Sequence, residues 1–265
     1  MRFTLIFPLV FTVAALWTGA AFAQTPDELF SSGVATFQKK DLKSARASFE
    51  AALKLDPSHV VTLFDLGLIE SQEGHNGRAI ALWRKALALA PEFRPAREAI
   101  EYARTKLERA EISHEVETWE QLRETALANT VLEKYLGIAV VLFFLSAWLL
   151  LGFFGARRRA LLDEKPLPGF PVVATLFASA WVVFSGLAIA KAIDMQELRG
   201  TVVTKKIEAR STPDQAGTPL FDLYEGLEVI VRQTSGDWFQ VTYPGGSTGW
   251  VPRSSVFTTA DQAVQ

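Results

Sequence analysis

Apolar positions along the chain follow three rhythms. Residues 3–22, 135–155 and 172–190 are almost continuously apolar. Between the first two blocks, apolar residues recur every three or four positions, the spacing of helices with one buried face. After residue 198 the rhythm shortens to alternation. It predicts strands at 201–205, 227–232 and 238–242, with turns at Thr234-Ser235-Gly236 and Pro244-Gly245-Gly246. The pattern therefore predicts a helical part, a pair of long apolar helices and an all-β part, in that order.

The first block follows Arg2 and ends in Ala21-Phe22-Ala23 before Gln24, the layout of a secretory signal peptide over residues 1–23. As a helix, the 21 residues of the second block are about 31 Å long and match the hydrocarbon core of a bilayer. Membrane spans are assigned to 135–156 and 171–192. In the loop between them, 157–170, Arg157, Arg158, Arg159 and Lys165 outnumber Asp163 and Glu164, and a short basic loop stays cytoplasmic. Both flanking parts are then expected on the periplasmic side of a bacterial inner membrane, the orientation that export by a signal peptide also gives. The spans hold no Asp, Glu, Arg or His, which argues against a transport path. Gly152, Gly186 and Ala190 are expected to let the two helices pack closely.

Offset by 34 residues, the sequence matches itself at Leu29/Leu63, Phe30/Phe64, Gly33/Gly67, Ala45/Ala79, Ala47/Ala81, Ala52/Ala86, Leu53/Leu87, Leu55/Leu89 and Pro57/Pro91. Composition alone would give about two such identities over that length. The small residues suit close helix approach, Phe49 and Trp83 fill the gap beside them, and each proline ends a helix. The unit resembles the tetratricopeptide repeat. A repeat domain is assigned to 24–110, closed by a capping helix at 95–109 that turns Ile100 and Leu107 inward and leaves Glu98, Glu101 and Glu108 to solvent. Ile112, Val116, Trp119, Leu122 and Ala126 then mark an amphipathic helix at 111–134 leading to the membrane. The resemblance implies a concave surface made by the first helix of each repeat, with Phe30, Val34, Phe37, Phe64, Leu68 and Gln72 on it. Such an apolar groove suits a peptide or helix, and each of these phenylalanines serves equally well as core.

Residues 198–258 resemble the bacterial SH3-like module, leaving 259–265 as a tail. The resemblance rests on Ala209-Arg210-Ser211-Thr212-Pro213 after a strand, Glu225-Gly226, Asp237-Trp238 and Gly249-Trp250-Val251. Glu208 departs from the small residue usual before the Ala-Arg pair. The likeness implies a small barrel with a shallow aromatic groove for extended peptide or cell-wall material. Trp238, Tyr243 and Trp250 are its candidates, with core filling the stronger expectation for Trp250.

The fold class expected is thus a multidomain membrane protein: an all-α repeat domain, a two-helix transmembrane hairpin and an all-β SH3-like barrel. Residues 24–134 carry 15 basic and 18 acidic groups and residues 193–265 carry 6 and 9, so neither exported part has the basic surface that nucleic acids require. The chain has no cysteine, which excludes disulfides, thiolate metal sites and thiol chemistry, and weakens a role in handling apocytochrome cysteines. His59, His75 and His114 have neither metal-site spacing nor a nucleophile beside them, and no Gly-rich phosphate loop is present. Glu115, Glu117 and Glu120 read as a solvated helix face. No catalytic residue, metal or cofactor is expected, and the chain reads as a non-enzyme.

The order of modules resembles the BatE family of bacterial aerotolerance operons. That resemblance implies a membrane scaffold whose partners include other Bat-type proteins with von Willebrand A domains. Two functions follow: an adaptor that binds envelope or membrane proteins through the repeat groove, or a sensor whose SH3-like domain binds peptidoglycan.

Overall fold

The computed structural model describes residues 25–107, 123–243 and 246–260. The signal-peptide segment, His114 and residues 111–122 of the expected 111–134 helix lie outside the described residues, and 123–134 hold a π-helical turn and the start of a long apolar helix rather than one continuous helix.

Five helices build the first part: α1 (Pro26–Gln38), α2 (Leu42–Leu55), α3 (Val60–Gln72), α4 (Asn76–Leu89) and α5 (Arg94–Arg104). Thr25 starts α1 with a reciprocal capping box to Glu28, and Pro26 occupies a first-turn position that needs no N–H. Asp41 caps α2, accepting from the Ser44 N–H. His59 caps α3 through Nδ1, which accepts from the Thr62 N–H. The α1–α2 and α3–α4 pairs are the two repeats, and their close contacts are those read from the 34-residue period. A Cβ on Gly33 would stand 2.4 Å from the Phe49 ring, and one on Gly67 would stand 2.3 Å from Trp83 Nε1. Trp83 Nε1 donates to the Phe64 carbonyl at 3.0 Å. The period extends between units as well. Phe30 packs on His59 at 5.2 Å and Phe64 on Phe93 at 5.5 Å, one interaction repeated 34 residues on. The capping helix is shorter than expected and ends at Arg104, with Ile100 buried and Leu107 packed on the repeat core just beyond it.

Helices α6 (Leu132–Leu162) and α7 (Val172–Asp194) are 31 and 23 residues long, long and apolar enough to cross a membrane. Their outer faces expose side chains that soluble proteins bury, such as Trp148 at 72% and Val182 at 61%. Helix α6 continues through Arg157, Arg158 and Arg159, so the loop expected at 157–170 begins as helix. The glycines do not mediate the helix contact, because a Cβ on Gly152 or Gly186 would meet nothing within 4 Å. Ala139, Ser146, Ala174 and Ala188 are the buried small residues, and the Phe143 and Trp181 rings meet at 5.4 Å. A π-helical turn at Arg123–Leu127 braces the end opposite the connecting loop, where Lys191 Nζ donates to the Leu127 carbonyl at 2.8 Å and the Tyr135 hydroxyl donates to the Ala126 carbonyl.

The last part is an antiparallel sheet of seven strands: β1 (Arg199–Val202), β2 (Lys206–Arg210), β3 (Pro219–Tyr224), β4 (Glu228–Ser235), β5 (Trp238–Tyr243), β6 (Ser247–Pro252) and β7 (Val256–Thr258), with a 3₁₀ turn at Arg253–Ser255. Their order is β3-β2-β6-β5-β4-β1-β7, so β3 and β7 are edges and the expected barrel is an open sheet. Its core is Val202, Leu223, Val229, Phe239, Val241 and Val251. Closure would require β3 to pair with β7, whose Phe257 packs on the repeat core. Strand β4 runs to Ser235, leaving Gly236 and Asp237 as a two-residue turn with Gly236 at φ +55°.

Repeats and sheet form one body. All four residues of β1 are buried, because one face packs on the sheet core and the other on α4. The Gly77 N–H donates to Glu225 Oε1 at 2.6 Å and Arg84 Nη1 to Thr201 Oγ1 at 2.8 Å. A Cβ on Gly226 would collide with Leu107 and stand 3.1 Å from Ile80. The two parts that flank the apolar hairpin in sequence therefore meet at the same end of it.

Candidate binding surfaces

The first surface lies along α1 and α3. Phe30, Val34, Phe37, Phe64 and Leu68 are half-buried side chains packed against the repeat core, and Gln72 is exposed. Each apolar one divides its surface between core and groove: Phe30 contacts Phe49 and His59, and Phe64 contacts Trp83 and Phe93. Two carboxylates flank the apolar strip. Asp27 Oδ1 stands 4.0 Å from His59 Nε2. Burial pushes the Asp65 carboxyl up to about 6 against the opposing pull of His59.

The second surface lies on the sheet. Successive side chains of a strand alternate between faces. Phe239 and Val241 are buried, so Tyr243 belongs to the inner face and packs on the sheet core. Burial pushes its phenol up, opposed by Arg104 and Arg84 of the repeat domain. Trp238 lies on the outer face, as does Trp250, whose pairing partner Gln240 is two residues from Trp238. The structure thus brings the two tryptophans to one face and places Tyr243 on the other. Of the three, only Trp238 lines the open groove of about 1340 Å³, together with Ile207, Arg210, Pro213, Pro252 and Phe257. Arg210 braces the 211–218 loop that forms one wall, donating to the carbonyls of Gln215 and Gly217. Arg78 of α4 also lines the groove. Glu208, the departure noted in sequence, is an exposed rim residue 3.4 Å from Arg210.

A third cluster was not legible in the sequence. Glu70 is almost fully buried and receives Arg46 from α2, Arg78 from α4 at 3.3 Å and His75 at 3.0 Å, with Glu73 also bound by Arg46. Glu70, Glu73 and His75 are metal-ligand types within reach of one another. Two guanidinium groups already neutralise the carboxylates, so the cluster is an ionic clasp across three helices. A fourth cluster surrounds Glu228, which lies 3.6 Å from Arg84, 3.5 Å from Arg123 and 3.6 Å from Arg199. Burial alone would raise the Glu228 carboxyl, yet these three arginines and Arg104 hold it down at about 2.

Compared with known proteins, residues 29–59 match the family model of the tetratricopeptide repeat and residues 207–257 that of the bacterial SH3 domain. These matches establish the two modules. No curated protein and no solved structure gives a significant match.

Proposed function

We propose that the chain is a membrane-anchored envelope scaffold whose repeat groove and SH3-like groove bind protein partners on the same, periplasmic side of a bacterial inner membrane. The carrying observation is the docking of α4 on β1 and β7. The module before the apolar hairpin and the module after it share one interface, which requires an even number of crossings between them, and α6 and α7 supply two. The basic run Arg157 to Arg159 at the far end of α6 supports retention of that end in the cytoplasm.

Repeat and SH3 domains are non-catalytic kinds of module, and we read the chain as a non-enzyme. The half-buried phenylalanines of α1 and α3, flanked by Asp27 and Asp65, suit an amphipathic segment carrying basic groups. Membrane proteins with von Willebrand A domains are the partners named by the likeness to the BatE arrangement, within an aerotolerance complex. A second reading, peptidoglycan binding, is favoured by the open groove beside Trp238, whose mixed polar and aromatic walls suit a glycan or stem peptide.

A photocrosslinking residue placed at Gln72 and, separately, at Trp238 in the full chain in intact cells tests both readings. The scaffold reading expects discrete protein adducts from Gln72 that Phe64→Ser abolishes. High-mass adducts from Trp238 that muramidase collapses, with none from Gln72, would replace it with the wall-binding reading. Protease accessibility of the 163–171 loop in inverted vesicles checks the orientation.

A further inference from the structure

Where α4, α5, the π-helical turn, the end of α7 and β1 converge, a cavity of about 450 Å³ opens beside Glu228. We propose that this cavity binds the phosphate ester of an anionic phospholipid headgroup. The proposal rests on the membrane-anchored reading.

Three observations carry it. Among the described residues, the lining holds six cations, Arg84, Arg97, Arg104, Arg123, Lys191 and Arg199, against four carboxylates, Glu101, Asp194, Glu197 and Glu228. A phosphodiester has one negative charge and suits forked guanidinium donors. The surplus is felt within the cluster: burial and the mutual repulsion of Arg104, Arg123 and Arg199 bring Arg84 down to about 10, despite Glu228 beside it. The carboxylates are also unevenly shared. Glu228 and its neighbours are taken by Arg84, Arg123, Lys191 and Arg199, whereas Arg97 and Arg104 form no ion pair among the described residues. Among the described residues, Arg97 donates only to the Pro91 carbonyl.

Position and polarity then separate lipid from free anion. Lys191 and Met195 belong to the turn in which α7 ends, where a spanning helix leaves the hydrocarbon for the headgroup layer. Leu87, Ile100 and Met195 give the same cavity an apolar side, of use to the glycerol and first acyl carbons of a lipid and of none to inorganic phosphate.

The test uses the full chain purified in detergent, with native mass spectrometry of retained phosphatidylglycerol against phosphatidylcholine of the same acyl chains. Glycerol 3-phosphate is the soluble probe. The expected result is selective retention of phosphatidylglycerol, weakened about fivefold for each of Arg97→Gln and Arg104→Gln, as one cation near a membrane surface contributes. Arg97→Lys with Arg104→Lys should restore part of it. Replacing Arg157, Arg158 and Arg159 by Gln should leave retention unchanged. Binding of glycerol 3-phosphate without lipid selectivity would support the phosphate site and make the free anion its occupant. Equal retention of both lipids with no glycerol 3-phosphate bound, or loss only in the Arg157 to Arg159 variant, would overturn the site. Release of the chain from membranes by alkaline carbonate would defeat the anchoring reading instead, and the glycerol 3-phosphate arm would still score the cavity.

Discussion

The Gly77 N–H and the Glu225 carboxylate, 148 residues apart in sequence, form a 2.6 Å hydrogen bond. Gly77 is in the first turn of α4, whose N-cap His75 makes no side-chain capping bond because its ring is turned to Glu70. A carboxylate from the sheet therefore satisfies a donor that the helix itself leaves open, and it sits at the positive end of the helix dipole.

Gly77→Ala tests that junction. Alanine is the better helix former by about 1 kcal/mol. Its Cβ would nonetheless lie 2.5 Å from Glu225 Cγ and 2.9 Å from the Val202 carbonyl. The expected outcome is a net loss of about 1–3 kcal/mol by thermal unfolding of the full chain in detergent. A stabilised variant would mean that the two modules do not dock through this turn.

Glu228 sets an acid limit. Its carboxyl falls from an ordinary 4.5 to about 2, so the folded state binds the proton less well than the unfolded one. The stabilisation is complete above about 4.5 and is lost as pH falls toward 2. Glu228→Gln should cost about 3 kcal/mol at neutral pH, since it leaves Arg84, Arg123 and Arg199 facing one another, and should flatten the acid limb below pH 4.5. Acid titration followed by near-ultraviolet circular dichroism reads both effects.

Asp65 has the opposite sign. Its carboxyl is pushed up to about 6, so folding favours the protonated form and stability declines as pH rises from about 4 through 6. Asp65→Asn is expected to stabilise the chain by about 1 kcal/mol at pH 7 and to make little difference at pH 4. Equal effects at both values would show that burial is not what perturbs this group.

Two glycines separate packing from mere sequence pattern. Gly67→Ala drives a methyl into Trp83, whose indole is already fixed by Phe64, and should cost about 1–3 kcal/mol. Gly152→Ala on α6 meets nothing within 4 Å and should cost no stability, with a gain of up to about 1 kcal/mol from the helix propensity of alanine. Thermal melts of the two variants in the same detergent make the comparison.

Local features were legible in the sequence because they repeat or alternate. Gly33 meets Phe49 and Gly67 meets Trp83, one contact repeated at the 34-residue period, and the β4–β5 and β5–β6 hairpins lie where alternation and turn residues put them. The docking of modules was not legible. Arg84, Thr201 and Glu228 are ordinary polar residues of a helix and two strands, and only the return of the chain after α7 makes them neighbours. The split of Trp238 and Trp250 from Tyr243 follows from strand parity: an odd separation along β5 reverses the face, and motif spacing takes no account of it.

The bond between Gly77 and Glu225 also has a direction in time. The repeats are synthesised first, yet the first turn of α4 receives its carboxylate only after both apolar helices have been made and β3 has followed them. On the membrane-anchored reading, a chain in which only one of the two apolar helices inserted would keep Glu225 on the far side of the bilayer from Gly77. The repeat module would then persist with an open helix end and an uncovered Ile80, and a quality-control protease would meet a substrate that correct insertion conceals.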